Sequence, residues 1–117
     1  MTELSMPDIE QFLAYVNGAL RELPAWLERE GAPRVAIVTG DCTDLCVYQS
    51  AMHLKLRANA RGERCAVVVP RDCVDTYDVS VEAARKLGVA AHPGELMHRI
   101  FLYHMMLNGI RVAQRIE

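Results

Sequence analysis

The residues best equipped for chemistry fall in one stretch, Val38-Thr39-Gly40-Asp41-Cys42-Thr43-Asp44-Leu45-Cys46-Val47. Apolar residues precede it and a helical pattern follows, so it reads as a strand, a glycine-containing turn and the opening of a helix. Cys46 then sits near a helix N-terminus, where unpaired backbone N–H groups and the positive end of the dipole stabilise a thiolate. The same N–H groups can hold an oxyanion, as acyl transfer requires. One turn would supply both nucleophile and electrophilic support. On residue type alone Cys46 also reads as a small hydrophobe in a buried helix, and Thr43 and Asp44 read equally as helix caps.

The other candidates carry weaker signals. Cys42, Cys65 and Cys73, with His53, His92, His98 and His104, show no C-x-x-C or H-x-x-x-H spacing of a zinc module, so no metal or other cofactor is expected. The C-x-x-x-C of Cys42 and Cys46 is not the spacing of a thioredoxin-type redox pair. With an adequate core and no export signal, reduced thiols in a cytoplasmic setting are expected rather than two disulfides. His98, Arg99 and His104 read as the polar outer face of a late helix, and Met97, Met105 and Met106 as core fillers.

These residues need elements to position them. Residues 7–30 place Ile9, Phe12, Leu13, Val16, Leu20, Leu23 and Leu27 on one amphipathic helical stripe, with Pro24 predicting a kink or restart and Gly31 to Pro33 a stop. Arg34 to Thr39 and Ala66 to Val69 lack polar alternation, as strands buried on both faces do. Between them, Thr43 to Ala60 reads as a helix. Its packed side carries Val47, Ala51, Leu54 and Ala58 beside Tyr48, Met52 and Leu56, leaving Gln49, His53 and Arg57 opposite. Ser80 or Asp78 caps a helix running to Gly88, Pro93 to Leu107 forms another ended by Asn108-Gly109, and Ile110 to Ala113 is a last strand.

The order α-β-α-β-α-α-β with apolar strands predicts an α/β fold with a parallel sheet and right-handed crossovers. Asp41-Cys42-Thr43-Asp44 and Asp72-Cys73-Val74-Asp75 each follow a strand, which places both at carboxyl ends, where ligands of open α/β sheets bind. The 117 residues suit one domain, a helical segment over 1–33 and an α/β portion over 34–117. Thirteen Lys plus Arg against fifteen Asp plus Glu, a formal charge of −2, argue against a nucleic-acid partner. No apolar run approaches the ~18 residues of a bilayer span.

Gly40, Thr43, Asp44, Cys46 and Val47 match the pattern Gly-x-x-Thr-Asp-x-Cys-Val, and there the sequence resembles the isochorismatase-like cysteine hydrolases, the superfamily of nicotinamidases and N-carbamoylsarcosine amidases. The resemblance continues through Val69-Pro70, Val74-Asp75-Thr76-Tyr77-Asp78, His92-Pro93, Leu102-Tyr103-His104-Met105 and Asn108-Gly109. It implies a Rossmann-like three-layer α/β/α fold, here truncated to about three strands. Cys46 would be the nucleophile toward a small amide-type substrate, and the backbone N–H groups of Cys46 and Cys42 the oxyanion hole, with a cis peptide at Asp41-Cys42. Asp41, Thr43, Thr76 and Tyr77 would line the pocket, and Gly40 and Asp44 would brace it. For Thr76 and Tyr77 an ordinary loop is the competing reading.

The family's general-base aspartate, its lysine and the metal-binding Asp and His residues of nicotinamidases all belong upstream of the cysteine, and none is identifiable here. The only lysines are Lys55 and Lys86, on helices beyond the motif, and Asp8 and Glu28 lie on a polar helical face. The chain therefore resembles the C-terminal half of such an enzyme, with little or no turnover expected alone. Three strands would also leave Arg34 to Thr39 as an open edge, to be covered by a complementary N-terminal half or a second copy. The competing reading is a non-catalytic scaffold that serves as an oligomerisation or binding subunit.

Overall fold

The structure is a computed structural model that describes residues 23–31 and 33–115. The chain divides into two compact units, Met1–Gly31 and Ala32–Glu117. In the first, residues 23–30 form a helix, α1. It ends at Gly31, whose φ of 79° suits only a residue without Cβ and whose N–H bonds the Leu27 carbonyl at 2.9 Å. The earlier part of the apolar stripe, Ile9 to Leu20, lies outside the described residues.

The second unit holds β1 (Val35–Ile37), a π-helical turn (Thr43–Val47), α2 (Tyr48–Arg61), β2 (Ala66–Pro70), a 3-10 turn (Arg71–Cys73), α3 (Val81–Leu87), α4 (Gly94–Leu107) and β3 (Arg111–Ala113). The three strands pair in parallel in the order β1-β2-β3, with Val35 opposite Ala66 and Val68 opposite Arg111. This is the expected α/β class. Right-handed crossovers in that order put α2 and α4 on one face of the sheet. Val67 and Val69 of β2 are buried with Ala51, Leu54 and Ala58 of α2 and Leu102 and Met105 of α4.

Local chemistry sets the boundaries. Ser80 accepts the Ala83 N–H at 3.1 Å and caps α3, which stops at Gly88. Asp78 serves the next helix instead, its Oδ1 accepting the Gly94 N–H at 2.8 Å. Gly94 is required there, since a Cβ would stand 2.8 Å from the Tyr77 carbonyl oxygen.

Three expectations need correction. The first strand is not buried on both faces: β1 is a three-residue edge strand, and Val35 and Ile37 are 57% and 53% exposed. With β2 on one side only, it has no second neighbour among the described residues of this unit, and β2 is the central strand. On α2, Leu56 is 54% exposed, whereas Arg57 is tucked in and paired with Glu63 at 2.9 Å. The stripe that packs is the narrow Val47-Ala51-Leu54-Ala58 line, and Leu56 lies about 200° around the helix from Leu54. On α4, Met105 is core but Met106 is exposed.

Candidate functional site

Past the paired strands, the two segments that begin with aspartate run side by side. Gly40 bridges Val74 in parallel, and its N–H reaches the Cys73 carbonyl at 3.3 Å. The chain then winds into the π turn, where the Cys42 carbonyl accepts the N–H groups of Leu45 and Val47, each at 3.2 Å. Such wide turns recur at functional sites. Cys42 itself is the N-cap residue, with no side-chain cap.

Thr43 and Asp44 are therefore not caps. Fully buried Thr43 donates both its N–H and its hydroxyl to the Asp75 carbonyl, at 2.7 and 3.0 Å. Since that hydroxyl proton is used, His98 Nδ1–H must be the donor in its 2.7 Å contact with Thr43 Oγ1. His98 thus turns inward from α4, contrary to its reading as outer-face polarity. Arg99 and His104 are exposed as expected.

Asp44 is the centre of a buried network. Its Oδ1 accepts the Thr76 hydroxyl at 2.6 Å and its Oδ2 meets His92 Nε2 at 2.6 Å, with side-chain exposures of only 6% for Asp44 and 10% for His92. The other imidazole nitrogen lies 2.8 Å from the Tyr77 carbonyl, and the Tyr77 ring stacks on the imidazole with centroids 3.7 Å apart. Both nitrogens face acceptors, so His92 is held as an imidazolium paired with the Asp44 carboxylate. A two-bond antiparallel bridge to Val79 fixes the His92 backbone. Thr76 is thus a bracing residue rather than an ordinary loop position. Sequence reading missed His92 as a partner, because nothing in spacing links positions 44 and 92.

Charge states follow from this packing. Burial alone would raise the Asp44 carboxyl, but hydrogen bonds from Thr76 and His92 outweigh it and hold it below its ordinary 3.8. Burial likewise opposes the His92 charge, but bonding to Asp44 and to the Tyr77 carbonyl holds it above 6.5. The Asp44 contribution to stability is present above 3.8 and disappears as pH falls through its folded value. That of His92 is complete below 6.5 and disappears as pH rises through its folded value. The pair is thus expected to stabilise the fold most between 3.8 and 6.5. Urea midpoints measured across pH should fall on the alkaline side, and His92→Gln should flatten that limb. An unchanged limb in the variant contradicts the ion pair.

Cys46 is half-buried in the same turn, and neither its N–H nor that of Cys42 takes part in the hydrogen bonds that tie the turn to its surroundings. The Cys42 thiol is pushed up by burial and by negative charge at Cys46, Asp44 and Asp41. A raised thiol leaves Cys42 with less thiolate near neutrality, which suits the backbone role expected of it. The Tyr77 phenol is raised by burial, Asp44 and Cys42, which places it over the same cluster. Asp41 is exposed at the mouth of the turn and Tyr77 is 49% exposed. The Asp41–Cys42 peptide is trans, a correction to the expected cis bond. Cys42 reaches its carbonyl bonds in ordinary extended geometry, φ −125° and ψ 97°, without the roughly 2.5–4 kcal/mol a cis bond costs.

Neither described lysine serves this site. Lys55 lies beside Cys65 at the opposite end of the sheet, and exposed Lys86 pairs with Glu82 at 3.2 Å. All four cysteines are free thiols. Among the described residues no cluster of three His, Cys, Asp or Glu side chains is arranged to hold a metal ion. No described helix is long and apolar enough to cross a membrane.

Comparison with known proteins finds one curated relative. The chain is similar to Nicotinamidase 1 of Arabidopsis thaliana, 33% identical over 93 residues, which are 76% of this chain and 38% of that relative. It thus spans well under half the length of the curated relative it matches. No family model and no solved structure matches. The similarity supports the resemblance to the isochorismatase-like superfamily.

Proposed function

We propose that this chain carries the nucleophile and oxyanion-binding turn of an isochorismatase-like cysteine hydrolase acting on a small amide. The observation that carries the reading is Cys46 on a turn fixed from both sides, by Thr43 on the Asp75 carbonyl and by Asp44 on His92 and Thr76. The Cys46 thiolate attacks the amide carbonyl, forming a C–S bond, while the N–H groups of Cys42 and Cys46 hold the oxyanion. Collapse breaks the C–N bond, and the amine leaves with a proton. Water then attacks the thioester, releasing the carboxylic acid and restoring the thiol. In this reading Asp41, Thr76 and Tyr77 border the approach to the thiol, and Gly40 lets the turn close, since a Cβ there would sit 3.1 Å from Val47 Cγ2.

Proton transfer needs a general base and a cation free for the substrate; at this turn Asp44 and His92 are engaged with each other, and neither Lys55 nor Lys86 is near. In this reading a complementary N-terminal portion, or a second copy, supplies both and pairs with the open edge of β1. Free thiols suit a reducing, cytoplasmic setting. Ammonia release from nicotinamide, as the probe amide, tests the proposal. The chain alone is expected at background, because positioned acid–base groups contribute about 10²–10⁴-fold. Its natural assembly, purified intact, is expected to turn over. An assembly inactive toward nicotinamide and other small amides favours the scaffold reading.

A further inference from the structure

The amino-terminal ends of the strands, opposite Cys46, hold a concavity that the proposed hydrolysis does not use. Its volume is about 640 Å³, and Arg34, Lys55, Glu63, Arg64, Cys65 and Ala66 line it. Its size lies in the range of small-molecule pockets, roughly 300–1,000 Å³. Three cations from separate parts of the sequence converge here, from the start of β1, the middle of α2 and the loop before β2. None of Arg34, Lys55 and Arg64 has a carboxylate partner among the described residues. The one acid in the lining, Glu63, is already held by Arg57 at 2.9 Å. The cavity therefore has an uncompensated positive charge.

The Lys55 side chain is also positioned. Its Cε would stand 3.0 Å from a Cβ at Gly109, so it lies against the glycine turn that leads into β3. Its ammonium is close enough to bias the buried Cys65 thiol in the cavity wall. Two guanidinium forks and one ammonium around a concavity match the oxygens of a polyphosphate better than a single carboxylate. The chain's overall charge of −2 makes this a local feature rather than a basic surface.

We infer that this cavity at the amino-terminal edge of the sheet binds a small phosphorylated molecule bearing at least two adjacent phosphate charges. The five residues of β2 separate it from the Cys46 turn by roughly 15 Å. It is a site independent of the hydrolytic one.

Titration of the full chain with inorganic pyrophosphate at low ionic strength, followed by backbone amide NMR, tests this. Saturable shifts are expected at Arg34, Lys55 and the Glu63 to Ala66 segment, with none at Cys46. Arg64→Gln and Lys55→Gln should each weaken binding about tenfold, the scale of one charge-assisted contact. Lys86→Gln removes the same charge elsewhere and should change nothing. Shifts without saturation, equal weakening by Lys86→Gln, or preferential binding of an oligonucleotide would each overturn the inference. Both Arg64 and Lys86 are exposed, and amide spectra of the free variants verify the fold.

Discussion

Asp44→Ala is expected to lower the unfolding free energy by about 3–5 kcal/mol, the cost of leaving one half of a buried ion pair uncompensated. The His92 imidazolium would keep only the Tyr77 carbonyl, in a site where it is 10% exposed, and Thr76 would lose its acceptor. Small domains have only about 5–15 kcal/mol in total, so the variant would forfeit a fifth or more. Asp44→Asn should cost less, because its amide oxygen can still accept from Thr76 and a neutral His92 can stay. Urea unfolding near pH 6 measures both. A loss under about 1 kcal/mol for Asp44→Ala would mean that the pair is solvated and does not brace the turn.

The second large effect concerns chemistry. In the natural assembly, Cys46→Ala should reduce amide hydrolysis by about 10³-fold or more, as loss of a covalent nucleophile does. Cys42→Ala should cost less than about tenfold, because that residue contributes its backbone N–H and not its thiol. Ammonia release from nicotinamide reads both variants. The contrast separates the two cysteines, to which the proposal gives different roles although they share one turn. Comparable losses would reassign the nucleophile, and activity retained in Cys46→Ala would remove thiol chemistry altogether.

Much of the frame was legible because it rests on local signals. The apolar runs at Val35 and Ala66, the Ser80 cap and the glycines at 88 and 109 declare their elements through side-chain type and backbone freedom alone. The placement of the cysteine turn at the carboxyl ends of adjacent strands also followed from element order. What stayed hidden depends on partners far apart in sequence. Asp44 read equally as a cap or a brace, and only folding brings His92 and Thr76 to it, 48 and 32 residues away. His98 was misread for the same reason: its polarity suggested solvent, but buried Thr43 offers it an acceptor. Leu56 and Arg57 exchanged expected faces because the two alanines narrow the packed stripe of α2 to one line.

The account stands most directly on the nucleophilic character of Cys46, and site-resolved alkylation measures it. The protein is treated with iodoacetamide at about pH 6, and the rate at each cysteine is read by peptide mass spectrometry. Exposure alone would make Cys73 fastest, yet partial desolvation and the Asp72 carboxylate hold its thiol up, as burial does for Cys65. Half-buried Cys46 is expected to react at least about tenfold faster than either, as the proposed nucleophile of the turn. Reaction in order of exposure, with Cys73 ahead of Cys46, would contradict it.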